Sequence, residues 1–99
     1  MRLSQKEQTT IINEIIKKDP HSQIYLYGSR TKDHLKGGDI DLLVVSEILG
    51  FSDKVDILIA IKEQIGEQKI DLSIKSHEEI QSDPFWQKIV PTGIPLRQA

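Results

Sequence analysis

A chain of 99 residues with 37% hydrophobic side chains holds enough apolar material for one compact core and not for two. Its 13 Lys and Arg against 15 Asp and Glu leave a formal charge of −2, too balanced for general binding to nucleic acid or an anionic membrane, so any basic site must be local. The absence of cysteine excludes disulfide scaffolds and thiolate metal sites.

The N-terminal stretch MRLSQKEQTTIINEIIKK has no uninterrupted apolar core of signal-peptide length, and nothing later approaches the roughly 20 apolar residues of a membrane span. A soluble, cytoplasmic protein without membrane contact is expected. Ser4 followed by Glu7 has the spacing of a capping box, and Ile11, Ile12, Ile15 and Ile16 then share one helical face until Asp19-Pro20 interrupts the helix. QIYLY, residues 23–27, is rich in strand formers and ends at Gly28, which suits a sharp turn. DIDLLVV, residues 39–45, is almost continuously apolar after Asp41, as in a central strand covered on both faces.

Ser52 is the expected cap of a crossover helix running to about Gln64, with Val55, Leu58, Ile59 and Lys62 tracing its face and Gly66 ending it. KIDLSIK alternates strictly, placing Ile70, Leu72 and Ile74 on one face of a strand and Asp71, Ser73 and Lys75 on the other. Ser76 and Glu79 form a second capping box, and Asp83-Pro84 is an N-cap with proline in the first helical position. Pro91 is expected to stop that last helix, and TGIPLRQA to add a short edge strand, since Pro95 would be unfavourable in a central one. No repeat, linker or low-complexity tract interrupts this order.

The chemistry concentrates in YGSRTKDHLKGGDIDLLVV, residues 27–45. In an extended strand Asp39 and Asp41 point to the same side while Ile40 points to the other, so two carboxylates meet at one strand end and repel unless neutralised. Carboxylate oxygens are hard ligands suited to Mg²⁺, which shares its coordination with substrate phosphates. A lone Asp-x-Asp is commonly a solvated turn, and a lone Gly-Ser is commonly only a turn. Together, with both strands neighbours in one sheet, Gly28-Ser29 would offer backbone N–H groups and a hydroxyl to a phosphate beside the carboxylates. Asp71, on the polar face of a later strand, supplies a third carboxylate. His21, His34 and His77 have no spacing for a shared metal site and read as surface residues. Phe85 and Trp86 read as packing the last helix onto the sheet.

The segment resembles the signature of the DNA polymerase β-type nucleotidyltransferase superfamily: Gly-Ser, then an Asp-x-Asp strand, then a third Asp on a later strand. At this length it is similar to the minimal nucleotidyltransferases, often encoded beside a HEPN-family protein. The resemblance implies that Gly28 and Ser29 hold the β and γ phosphates, that Asp39 and Asp41 ligate two divalent ions (Mg²⁺, with Mn²⁺ as a substitute), and that Asp71 ligates one of them and helps activate the attacking hydroxyl. Arg30 fits the family's Gly-Ser-Arg, and two roles stay open for it: a phosphate contact, or a pin holding the turn to a neighbouring carboxylate. Two positions depart from the pattern. Asp33 follows Lys32 where a glycine is common, and Gly38 precedes Asp-x-Asp where many relatives have serine.

The expected fold is a single α/β domain spanning residues 1–99, a mixed sheet flanked by helices on one side with the site at one sheet end. The resemblance implies transfer of AMP from Mg-ATP to a hydroxyl, the tyrosine of a HEPN-family toxin, with this chain as the antitoxin in a hetero-oligomer and no direct contact with nucleic acid. With 99 residues there is little beyond a catalytic core to hold base and acceptor, which points to dependence on a partner. The rivals are a transferase acting on a small molecule such as an aminoglycoside, and a binding module that masks its partner without catalysis.

Overall fold

The computed structural model describes residues 1–32 and 38–98. Asp33 and His34 lie outside the described residues. Helix α1, Gln5–Lys18, begins at the expected capping box: the Ser4 hydroxyl accepts from Glu7 N at 3.1 Å while Ser4 N donates to Glu7 Oε1 at 2.8 Å. Strand β1, Gln23–Tyr27, runs into a short 3-10 turn, Gly28–Thr31. Then come β2, Ile40–Val45; α2, Phe51–Ile65; β3, Ile70–Lys75; α3, His77–Gln81; α4, Pro84–Thr92; and β4, Ile94–Arg97.

The four strands form one mixed sheet in the order β3-β2-β1-β4. β1 is antiparallel to both β2 and β4, whereas β2 and β3 are parallel and joined by the α2 crossover. β4 is an edge strand, which is where Pro95 is tolerated.

Period-two alternation divides the sheet into two faces. Ile24 and Leu26, with Ile40, Leu42 and Val44 and with Leu72, pack against Ile11 and Ile15 of α1 and Ile57 and Ile61 of α2. The opposite face carries Tyr25, Leu43 and Val45, which pack with Trp86 and with Ile80, Ile89 and Val90 of α3 and α4. Helices therefore flank both faces, not one. The last helix was expected to pack on the sheet through Phe85 and Trp86; it lies on the second face, where Trp86 and Ile89 supply the apolar cover that Leu43 and Val45 need.

Three local expectations differ from what the chain does. α2 begins at Phe51 with Gly50 as its cap, because the Asp53 carboxylate accepts from Gly50 N at 2.8 Å and closes the first turn; Ser52 lies inside the helix. Its buried stripe is Ile57 and Ile61, with Leu58 and Ile65 packed alongside, while Val55 and Ile59 face solvent at 38% and 52% exposure. The helix has apolar residues on more than one side, so periodicity alone allowed two overlapping stripes. α4 also continues through Pro91 to Thr92. The penalty of a proline falls on the carbonyl four residues earlier, and here the helix ends one residue later, with Gly93 N donating to Ile89 O at 2.7 Å.

Between β2 and α2 sits a buried polar junction. Asp19, only 4% exposed, accepts from Ser46 Oγ at 2.5 Å and from His21 N at 2.9 Å. The Ser46 oxygen in turn accepts from Ile48 N and Leu49 N, which fixes the exit of β2 from the sheet.

Candidate active site

The site grows out of strand register. Asp41 is directly opposite Tyr27 on β1 and Asp71 on β3, so these three side chains stand in a row across three strands on the face that carries α4. Neighbouring strands lie about 4.8 Å apart, which brings the Asp41 and Asp71 carboxylates beside each other. Asp39 stops one residue short of β2, and its Oδ2 lies 3.7 Å from Lys69 Nζ, a largely exposed ion pair.

The carboxyl of Asp41 is held above the ordinary aspartate range, first by burial and then by the charges of Asp71 and Asp39. Among the described residues no group of three His, Cys, Asp or Glu side chains forms a ready-made metal cage. The charges of Asp71 and Asp39 add to the effect of burial on Asp41, and Asp39 lies against Lys69. Adjacent carboxylates such as Asp41 and Asp71 are hard oxygen donors of the kind a divalent cation takes.

The turn is shaped to the carboxylates. Gly28 has φ of +77°, and a Cβ on it would run into Asp41 Oδ2. Gly38 has φ of +88°, and a Cβ there would run into Ser29 Oγ. Both glycines thus leave space for a polar side chain arriving from another segment. Gly38 stood in the sequence as a departure from the family pattern; its contact with Ser29 makes it part of the site.

The Arg30 guanidinium faces the protein. Its Nη1 donates to Arg2 O at 2.8 Å, its Nε to Gly38 O at 3.4 Å and its Nη2 to Gln68 Oε1 at 3.4 Å. Gln68 Nε2 donates onward to Glu7 Oε2 at 2.6 Å. Arg30 therefore pins the turn to backbone carbonyls and, among the described residues, connects to the Glu7 carboxylate through Gln68. Arg2 completes the clamp, donating from Nη2 to Ser29 O at 3.1 Å and from Nε to Lys32 O at 2.9 Å. Sequence reasoning passed over Arg2 and Gln68, whose roles depend on segments far apart in the chain.

It also passed over Tyr27, although the residue directly before Gly28 was a legible position. Its ring meets Trp86 edge to face at 5.7 Å and Phe85 at 6.2 Å. Its hydroxyl is held above the usual phenol range mainly by burial, opposed by a hydrogen bond with Ser73 and reinforced by the Asp71 and Asp41 charges. Trp86 is buried as expected, whereas Phe85 is half exposed and meets Trp86 edge to face at 4.7 Å. A cavity of about 480 Å³ opens beside Tyr27, lined by Tyr27, Gly28, Ser29 and Lys32 on one side and by Ile89 and Thr92 on the other. His21 and His77 are surface residues, His77 pairing with Glu47 at 2.7 Å.

The sequence of residues 9–98 matches the family model "Polymerase beta, Nucleotidyltransferase". The chain belongs to this nucleotidyltransferase family. Its fold is similar to that of a chain in the crystal structure of a toxin–antitoxin complex, MntA-HpeT, solved as a mutant with two aspartate-to-glutamate replacements. That likeness has a TM-score of 0.68 at 20% identity and covers 93% of this chain and 73% of the other. At such identity it speaks for the fold. Comparison with curated proteins finds no match. Among the described residues no helix is long and apolar enough to cross a membrane.

Proposed function

We propose that residues 1–99 are a minimal nucleotidyltransferase domain that moves AMP from Mg-ATP to the hydroxyl of a tyrosine on a HEPN-family toxin, acting as the cytoplasmic antitoxin of the pair. The observation that carries this reading is the cross-strand pair of Asp41 and Asp71 beside a turn whose Gly28 makes room for the Asp41 carboxylate. The similar fold in a toxin–antitoxin complex supports the choice of partner, and membership of the nucleotidyltransferase family supports the reaction.

In this reading the Gly28 and Ser29 N–H groups and the Ser29 hydroxyl hold the β and γ phosphates. Arg30, with Arg2, keeps the turn in place. Two Mg²⁺ ions, held by Asp39 and Asp41 with Asp71 on one of them, would neutralise the charge that builds at the α phosphate and the departing pyrophosphate. Asp71 takes the proton of the acceptor hydroxyl. The cavity between the turn and α4 leaves space for more of the nucleotide.

The test is co-expression of an Asp39→Ala/Asp41→Ala variant with the toxin, read by pull-down, intact mass and survival. Transfer predicts that binding persists while added mass and protection both disappear. Protection without added mass would replace this reading by masking.

A further inference from the structure

β3 is the outer strand at the end of the sheet opposite β4, and among the described residues β2 is the only strand beside it. Its inner side is taken up by β2: Lys69 O accepts from Ile40 N at 2.9 Å and Lys75 O from Ser46 N at 3.0 Å, so the odd-numbered residues turn their backbone groups inward. Backbone directions alternate along a strand, which turns the N–H and C=O groups of Ile70, Leu72 and Ile74 outward. The segment IDLSIK has no proline or glycine to blunt this edge, and an open edge is a template for another strand. The helix above it is open on the same side. α2 meets α1 through Asp53, Asp56 and Gln64, which contact Lys18 and Glu14. Phe51 and Val55 lie on the side of the helix away from those contacts, and Phe51 is 78% exposed. A hollow of about 290 Å³ lined by Phe51, Lys54, Ser73, Ile74 and Lys75 sets the start of this apolar stripe beside β3.

We propose that this surface holds a second copy of the chain, β3 pairing antiparallel with β3 across a two-fold axis to give one continuous sheet. Residues directly opposite in such a pair share a face, so the axis passes through a residue and not between two. Placed at Asp71 it sets two aspartates against each other, at Leu72 it sets Lys69 against Lys75, and at Ile74 it carries Asp71 past the strand end. Placed at Ser73 it sets Leu72 against Ile74 on the core face and Asp71 against Lys75 on the other, each pair repeated by the symmetry. The outward groups of Leu72 and Ile74 are then exchanged as hydrogen-bonded pairs, and the apolar stripes of the two α2 helices approach each other on one side of the sheet. This match of charge and apolar residues with the same strand reversed is what selects a second copy as the occupant. It also brings the Lys75 ammonium of one copy to the Asp71 carboxylate in the candidate site of the other. The inference rests on the strand edge and not on the transfer activity proposed above.

The experiment follows the full chain, without any partner, by sedimentation equilibrium and by amide hydrogen exchange over a range of protein concentrations. A reversible dimer is expected, with the Leu72 and Ile74 amides exchanging more slowly as concentration rises. A chain that stays monomeric, or exchange at these amides that is equal at all concentrations, overturns the proposal. Lys75→Asp sets like charges against each other at both pairs and should weaken the dimer about tenfold, and adding Asp71→Lys to the same chain should restore it by exchanging the charges. Circular dichroism checks that both variants fold, and the exchange measured on the unsubstituted chain is independent of them. A Lys75→Asp dimer as tight as the unsubstituted one, or no recovery in the folded double variant, overturns the pairing. Slow exchange at Leu72 and Ile74 that arises only when the HEPN toxin is added assigns the edge to the toxin and overturns the second copy.

Discussion

If Gly28 is glycine because the Asp41 carboxylate occupies the space of its side chain, the two positions are energetically coupled and a double-mutant cycle reads the coupling. Gly28→Ala carries two costs. At φ of +77° an L side chain is strained by about 1–2 kcal/mol whatever surrounds it. The new methyl also meets Asp41 Oδ2, and relieving such overpacking costs about 1–3 kcal/mol more. The single substitution is thus expected to cost about 2–5 kcal/mol, and in a domain of this length each kcal/mol lowers Tm by about 4–8 °C. In an Asp41→Ala background the carboxylate is gone and only the strain remains. The same Gly28→Ala change should then cost about 1–2 kcal/mol, leaving a coupling of about 1–3 kcal/mol, the range found for residues in contact. Urea unfolding of the four proteins in EDTA, with m-values held equal, measures it. An equal cost of Gly28→Ala in both backgrounds would show that the turn is not shaped around Asp41.

Three further outcomes are expected. The raised pKa of Asp41 means that its contribution to stability is fully present below the unfolded aspartate value of about 3.9 and is lost as pH rises through the higher folded value. Asp41→Asn should therefore stabilise the metal-free protein at neutral pH, by about 0.2–1 kcal/mol for a cross-strand pair of like charges, with the gain fading toward pH 4; a lower Tm at neutral pH would contradict the repulsion. Ser46→Ala removes the hydroxyl that donates to buried Asp19 and accepts from two backbone N–H groups, and urea unfolding should register a loss of about 1–3 kcal/mol. Arg30→Lys retains the charge but satisfies only part of a three-way clamp, so thermal unfolding should show a loss near 1 kcal/mol; an unchanged Tm would mean that charge and not geometry holds the turn.

What was legible in the sequence is what short-range physics determines. The capping boxes at Ser4 and Ser76 and the Asp83-Pro84 start of α4 are closed by atoms three residues apart or fewer, and each is where the spacing put it. β3 followed from period two, which placed Asp71 on its polar side, while β1 was read from its strand formers and β2 from its apolar run, with Asp39 and Asp41 expected on one side of it. The choice of buried stripe on α2 was not legible, because it depends on which of two apolar sides meets the sheet. The packing of the last helix on the sheet was read from Phe85 and Trp86, but not that it covers a second face, because that answers a demand made by Leu43 and Val45, on a strand far away in sequence.

Gly38 shows most clearly why a site is harder to read than a fold. Judged against its chain neighbours it was a serine gone missing, and judged against Ser29 it is the absence of a Cβ where the hydroxyl must sit. Gly28 and Asp41 repeat that relation, and Arg30 with Arg2, Gly38 and Gln68 repeats it in hydrogen bonds. In each case the identity of one residue is set by the shape of another that only the closed sheet brings near. The candidate site residues can therefore be named from the order Gly-Ser, Asp-x-Asp, Asp, while the residues that hold them in place emerge only from the packing between segments.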